Sequence, residues 1–350
     1  DMKPLLSTLA GLFFVTCGLA QSDFSSYQKR VLDREQSFES FKASIVSRWG
    51  RYEESTIKSR FDYSQDGRTR QQINFSDDTP EDGFVEFAIV DAKNSGEAQK
   101  RLLDKLGEAL SEQAGEIPIL EDQVLLDGRT LQKQLGRKEQ QKLKKQVKRE
   151  EISLGLNRTK TIYIVRLPLA PDHVKRRAEK YRKLIEQYAK EFRVPTSLIL
   201  AIIHTESWYN PHAKSGAPAY GLMQLVPKSG ARDAYRRVFR KDRVVEADYL
   251  YDPENNIRLG VAYIRILLDQ LNKVENERSR IYLAISGYNT GLGNVSRAFI
   301  KSRKLRRAFD PINQMEPGSI YNHLKRRLPY RETRDYLVKV TDRMDTVYRQ

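Results

Sequence analysis

His204-Thr205-Glu206-Ser207-Trp208-Tyr209-Asn210-Pro211, followed by Pro218-Ala219-Tyr220-Gly221-Leu222-Met223-Gln224, places one carboxyl group at the end of an apolar helix and a glycine-bearing turn behind it. Reading back from Glu206, Ile199, Ile202 and Ile203 fall at the helical spacing i, i+3, i+4, and Glu206 takes the i+7 position of the same stripe. The acid therefore points where a hydrophobic side chain is expected. A carboxyl group held against apolar neighbours loses hydration of its charged form, so its pKa rises, which suits a general acid working near neutral pH.

Around this stretch lies a chain of 350 residues, long enough for two domains with sizeable cores. With 39% apolar and 31% charged residues it reads as a soluble protein, and a net charge of +16 directs it toward polyanions: nucleic acid, an anionic membrane surface or an acidic wall polymer. The amino end chooses among these. Met2-Lys3, the apolar run from Leu5 to Thr16 and the small residues Gly18 and Ala20 read as a secretory signal, too short for a permanent span. Asp1, ahead of the methionine, reads as an added residue. Two processing routes compete: cleavage after Gly18-Leu19-Ala20, or lipid attachment at Cys17 behind the weak lipobox Phe14-Val15-Thr16. Either one takes the chain out of the cytoplasm and argues against nucleic acid as a partner. Cys17 is the only cysteine, so the mature chain has no internal disulfide and no cysteine metal site.

Three segments follow: a signal over 1–20, an α+β amino-terminal domain over 21–168 and an all-α domain over 169–350. Phe38, Phe41, Ile45 and Trp49 recur at helical spacing. Gln72–Phe75 and Phe84–Val90 alternate like antiparallel strands, with Asp66-Gly67 and Asp77-Asp78 as turn signals. Leu102, Leu103, Leu106 and Leu110 form a helical stripe, and Ile162–Leu167 reads as a further strand. Between them, Arg137–Glu150 is strongly basic, as is the run from Arg297 to Arg307; each reads first as a solvated face and second as a contact for anionic glycan or lipid. After Pro168 and Pro171 the pattern is helical. Ala178, Tyr181, Ile185, Tyr188 and Phe192 make one stripe; Thr196 or Ser197 is placed to cap the helix that carries Glu206, and Asp252-Pro253 opens another.

Five blocks in order give the all-α domain a specific resemblance to the goose-lysozyme-like lytic transglycosylases. They are Glu206-Ser207, Gly221-Leu222-Met223-Gln224, Asp252-Pro253-Glu254-Asn255-Asn256-Ile257 with Gly260 and Tyr263, Tyr288-Asn289-Thr290-Gly291, and Glu332-Thr333-Arg334-Asp335-Tyr336. Further upstream, Ile162-Tyr163-Ile164-Val165, the prolines behind it and the stretch from Arg68 to Phe75 are similar to the membrane-bound lytic murein transglycosylases. Two departures from the pattern are Gly287, where alanine is usual, and Tyr220, where a smaller residue is common.

The resemblance implies a lysozyme-like, goose-type catalytic domain. It implies cleavage of the β-1,4 bond between N-acetylmuramic acid and N-acetylglucosamine without water, leaving a 1,6-anhydro end. Peptidoglycan glycan strands would be the partner, in the bacterial periplasm, with the inner leaflet of the outer membrane as a second partner if Cys17 is acylated; oligomeric state is left open. By the same resemblance Glu206 and Tyr288 are catalytic, with Tyr288 bonded to Glu206 or to the sugar. Asn289 steadies its turn or meets the N-acetyl group, Ser207, Gly221, Met223 and Gln224 line the subsites nearest the cut, and Tyr263 and Tyr336 form the groove walls.

The residues argue the chemistry independently. A two-carboxylate hydrolase needs a second acid at the bond, and neither the Gly221 nor the Tyr288 block contains one. Glu206 must then act twice, first protonating the glycosidic oxygen and then taking the proton of the sugar's own C6 hydroxyl as it closes onto C1. A water-using muramidase and a non-catalytic glycan-binding protein are the alternatives. His173, His204, His212 and His323 lack ligand spacing, so no metal or other cofactor is expected.

Overall fold

The computed structural model describes residues 36–79 and 82–349, so the expected signal and Cys17 lie outside the described residues. The first helix, α1 (36–49), leads to the strands β1 (Ser59–Tyr63), β2 (Thr69–Asn74) and β3 (Phe84–Val90), then α2 (Ser95–Ser111). Two short hairpins follow, β4 (Gln113–Ala114) with β5 (Ile117–Pro118) and β6 (Leu125–Leu126) with β7 (Arg129–Thr130). Next come α3 (Arg137–Gln146), β8 (Lys148–Ser153) and β9 (Thr159–Pro168). The main sheet runs β1-β2-β3-β9-β8, antiparallel throughout, so the strand expected at Ile162–Leu167 forms the seam between β3 and β8.

Alternation along β3 explains the layers. Val85, Phe87 and Ile89 pack with Leu102, Leu106 and Leu110 of α2, whereas Ala88 and Val90 face Ile45 and Trp49 of α1 on the other side. Glu86 shares the α1 face, where it is buried and accepts from Arg70 at 3.2 Å and from two nitrogens of Arg166 at 2.6 and 2.9 Å. The basic run divides into helix α3 and strand β8; Leu143 is the one buried residue of α3, so that helix presents a solvated face.

Everything after β9 is helical apart from turns and isolated bridges: α4 (His173–Phe192), α5 (Thr196–Ser207), α6 (Gly230–Phe239), α7 (Ala247–Tyr251), α8 (Pro253–Gln270), α9 (Glu277–Thr290), α10 (Leu292–Ile300), α11 (Phe309–Asn313), α12 (Pro317–Arg327) and α13 (Arg331–Asp342). The architecture is thus α+β followed by all-α. Asp252 caps α8 as expected, accepting from the Asn255 amide at 2.8 Å with Pro253 in the first turn. The cap of α5 differs from expectation: Pro195 occupies the position, Thr196 is already helical, and no side chain caps the helix. Proline's fixed φ sets the chain entry there, so a hydroxyl is not required.

One buried cation ties the sheet to the helices. The Arg177 guanidinium donates to Phe75 O at 2.9 Å, Gln123 Oε1 at 2.6 Å and Trp208 O at 3.0 Å, and it meets His173 Nδ1 at 3.0 Å. Burial lowers its pKa to about 10, so it stays charged at neutral pH, and burial beside that cation lowers His173 to about 4, leaving a neutral ring whose Nδ1 accepts. Nearby, Asp77 accepts from Trp208 Nε1 at 3.1 Å and approaches His204 Nε2 at 3.5 Å. Burial opposes its charge, but the hydrogen bonds from His204 and Trp208 and the positive charge of Arg343 outweigh that and bring its pKa to about 2. Arg177→Leu leaves four buried acceptors, Phe75 O, Gln123 Oε1, Trp208 O and His173 Nδ1, without their donor, at about 1–3 kcal/mol each. Urea unfolding should therefore show a loss of more than about 2 kcal/mol, and a change below about 1 kcal/mol would contradict the bridging role.

Candidate active site

Helix α5 is buried from Leu198 through Thr205, so Glu206 does not interrupt one apolar stripe but ends a helix enclosed nearly all round. That corrects the narrower stripe expected from periodicity. The chain then turns sharply, with Trp208 at φ 48° and Tyr209 at φ 59°, two successive left-handed residues with large side chains. Trp208 holds this conformation because its carbonyl is taken by Arg177 and its indole by Asp77.

Glu206 is partly buried as a residue, and the protein packed around its carboxyl sets its pKa. Desolvation pushes that pKa up to about 8; the hydroxyl of Tyr336 donates to Oε1 at 2.7 Å and partly opposes the rise, and the charge of Glu332 adds to it. The C-terminal end of α5, with its partial negative charge, acts in the same direction.

Opposite the acid stands the turn at 220–225. Gly221 has φ +76°, and a Cβ there would meet Leu250 O at 2.2 Å and Asn256 Nδ2 at 2.3 Å, so only glycine fits. Asn256 staples the turn from inside α8: Nδ2 donates to Tyr220 O at 2.9 Å and Leu250 O at 2.7 Å, and Oδ1 accepts from the Met223 amide at 2.8 Å. Ser207 Oγ lies 2.7 Å from Leu222 O and 3.1 Å from Ile203 O, and its single proton goes to the nearer acceptor. Tyr288 Oη donates to Met223 O at 2.7 Å.

These bonds revise several expectations. Ser207 and Met223 are fully buried, so neither side chain lines a subsite; Ser207 pins the turn, and Met223 packs on Gly260, where an added Cβ would lie 2.2 Å from its sulfur. The hydrogen bond to Glu206 comes from Tyr336, which was expected only as a groove wall, while Tyr288 spends its proton on the turn. Tyr288 is nonetheless near enough for the charge of Glu206, after burial itself, to raise its pKa. Gln224 donates through Nε2 to Ala213 O at 3.0 Å and Gly221 O at 2.8 Å, which leaves Oε1 buried without a partner among the described residues. Asn289 Oδ1 accepts from Thr333 Oγ1 at 2.7 Å, joining α9 to α13, and the ring of Tyr263 packs tilted at 57° against Tyr288, 5.5 Å between centroids. At Gly287, a Cβ would lie 2.6 Å from a methyl of Leu292, which fills the space an alanine would need.

Tyr336 and Tyr288 are therefore the residues brought to Glu206, with Tyr263 packed against Tyr288, Asn289 joined to Thr333, and Gly221, Ser207, Met223 and Gln224 building the turn. Asn256 and Glu332 stood in the sequence only as parts of quoted blocks. An asparagine inside a helix, where its propensity is poor, was the available signal for the first.

The raised pKa has a consequence for stability. Folded Glu206 keeps its proton up to about pH 8, whereas a carboxyl of its kind ordinarily ionises near 4.5. Stability should accordingly fall as pH rises through that window, because there the unfolded chain has released a proton that the folded one retains. Glu206→Gln should match the parent's melting temperature below about pH 4 and exceed it increasingly toward pH 8; parallel curves would contradict the shift.

Known proteins locate this geometry. The Transglycosylase SLT domain family matches residues 183–309. A membrane-bound lytic murein transglycosylase C from Serratia proteamaculans is 40% identical over 198 residues, covering 56% of this chain and 54% of that relative. The protein of the same name from Yersinia enterocolitica is 43% identical over 180 residues, covering 51% and 49%. This chain thus spans about half the length of the curated relatives it matches. Among solved structures, the lytic transglycosylase Slt of Pseudomonas aeruginosa aligns with 31% identity and a TM-score of 0.36, over 47% of this chain and 23% of that one. The matched stretch 183–309 holds Glu206, the 220–225 turn and Tyr288, so the likeness to the transglycosylase SLT domain family falls on the site itself.

Proposed function

We propose that this chain is a peptidoglycan lytic transglycosylase that cuts the β-1,4 bond between N-acetylmuramic acid and N-acetylglucosamine and leaves a 1,6-anhydro muramyl end. The observation that carries this is Glu206, a single enclosed carboxyl with its pKa pushed up to about 8 and one oxygen held by Tyr336. At neutral pH it is protonated and can give its proton to the glycosidic oxygen as the bond breaks. The carboxylate left behind is a stronger base than an ordinary one, because the same desolvation now disfavours it. It takes the proton of the C6 hydroxyl as that oxygen closes onto C1. Both halves of the cycle want a pKa near the working pH.

Supporting roles follow from which atoms are left over. Tyr336 occupies Oε1, so Oε2 faces the substrate, and the Tyr336 hydrogen bond strengthens when Glu206 ionises. Gln224, whose Nε2 holds the backbone of the turn and whose Oε1 is buried, braces the groove wall. With its oxygen engaged by Thr333, Asn289 offers its amide protons to the N-acetyl carbonyl of the substrate. Tyr288 and Tyr263 provide an aromatic wall.

The names of the relatives, which call them membrane-bound, support an envelope setting. We read the amino end as an export signal to the periplasm, processed either by cleavage after Ala20, which releases the chain, or by lipid attachment at Cys17, which anchors it to the outer membrane. Residues 21–168 and 169–350 are proposed as the amino-terminal and catalytic domains.

A hydrolytic muramidase is the second reading, and Glu332 is the observation that favours it: it is a second, exposed carboxylate whose charge reaches Glu206. Mass spectrometry of digested sacculi separates the two. Anhydro ends that persist in Glu332→Gln and vanish in Glu206→Gln are expected; products one water heavier, lost on Glu332→Gln, would instead make Glu332 the base for water.

A further inference from the structure

We propose that the positive face built by α10, the short 3-10 turn Leu305–Arg307 and α12 is a docking surface for the anionic peptides carried by the glycan strand, an inference that rests on the peptidoglycan reading above. Residues 291–330 contain nine Lys or Arg and only two acids, Asp310 and Glu316. Six of the cations lie between Arg297 and Arg307 and three at Lys325–Arg327, and all nine are exposed. Among the described residues none of them has a carboxylate partner; other cations of the helical half, such as Lys228, Arg240 and Lys241, also lack one, and what sets this face apart is its density of cations beside only two acids.

Two bland explanations cover only part of this cluster. Arg297 and Lys325–Arg327 sit in the last turns of α10 and α12, where cations offset the helix dipole. Lys301, Arg303 and Lys304 lie outside any helix, and Arg306 and Arg307 lie in a single 3-10 turn, so the dipole does not account for them. Nor is a scattered solvated surface a sufficient account, because the two basic segments are locked together. His323 Nε2 bonds Ala298 O at 2.9 Å, and its ring stacks on Phe299 at 4.7 Å. Like charges held side by side repel, and an anionic partner relieves that repulsion.

Placement identifies the partner. Helix α10 starts directly after Gly291, which ends the helix carrying Tyr288 and Asn289. Helix α12 ends just before α13, whose first turn carries the Thr333 that bonds Asn289. Both basic segments therefore continue outward from the Asn289–Thr333 link at the edge of the site, and Arg297 lies only about 8 Å along α10 from its start. A glycan seated at Glu206 is itself nearly uncharged. The peptides on its muramic acid residues carry free carboxylates, at the regular spacing of the sugars, and these are the nearest polyanion available to such a face.

The test uses the full chain with Arg303→Ser, Lys304→Ser, Arg306→Ser and Arg307→Ser combined, its folding checked by melting temperature. Two substrates are compared: peptide-bearing glycan strands and the same strands stripped of peptide by an amidase. Relative to the parent, kcat/KM on peptide-bearing strands should fall about tenfold at about 20 mM salt, with the gap closing by about 0.5 M, while the stripped strands change less than about twofold. Equal change on both substrates, or none on either, overturns the proposal. Should the fourfold variant not fold, Arg303→Ser with Arg306→Ser is read by the same criteria, with a fall of about threefold. A second measurement does not depend on turnover: co-sedimentation of Glu206→Gln chains, with and without the substitutions, on intact sacculi. Lost retention on sacculi supports the surface even if the parent cuts neither substrate, an outcome that would sink the transglycosylase reading alone. Unchanged retention on sacculi, with binding lost only to phosphatidylglycerol vesicles or to duplex DNA, overturns it.

Discussion

Placing the Glu206 carboxyl at the closed end of a buried helix is the constraint from which the rest of the site follows. Ionisation there puts a negative charge where water is scarce, beside the partial negative end of α5 and within the field of Glu332. The hydroxyl of Tyr336 is the counterweight. Without it the group would be a poorer acid still; with several such donors it would lose its proton too early. A balance near pH 8 is what the proposed reaction asks of a single carboxyl that begins protonated and finishes ionised.

Around that acid the fold removes competing chemistry. Ser207, Asn256 and Tyr288 spend their hydrogen bonds on the backbone of the 220–225 turn. The wall is thereby rigid, and few polar atoms are left to meet a substrate. The sheet half of the chain contributes to the same end. Asp77 and the carbonyl of Phe75 belong to the amino-terminal segment, yet they fix Trp208 directly and through Arg177, two residues beyond Glu206. Precision at the acid therefore depends on contacts that cross from the sheet to the helices.

What could be read from sequence was what is local. Glu206 at the end of an apolar run, the glycine that the 220–225 turn requires and the Asp252-Pro253 helix start all depend on near neighbours, and each stands where expected. The strands at Gln72–Phe75, Phe84–Val90 and Ile162–Leu167 were legible for the same reason, through period-two alternation. Long-range choices of partner were not legible. Nothing local distinguishes Tyr336 from Tyr288 as the donor to Glu206, because their acceptors are set by how α9 and α13 pack on α5. Arg177 reads as one more charge on a polar helix until Phe75, Gln123 and Trp208 surround it. Ser207 and Met223 show the complementary case: motif residues beside Glu206, expected as substrate contacts, whose buried side chain or backbone amide holds the turn.

Desolvation by the surrounding protein, with the charge of Glu332 as the smaller contribution, keeps Glu206 protonated at neutral pH. Carbon NMR titration of the glutamate side-chain carboxyls, with the Glu206 signal assigned by its loss in Glu206→Gln, tests it most directly. A transition near pH 8 is the predicted result. A transition near the ordinary value of 4.5 would contradict it.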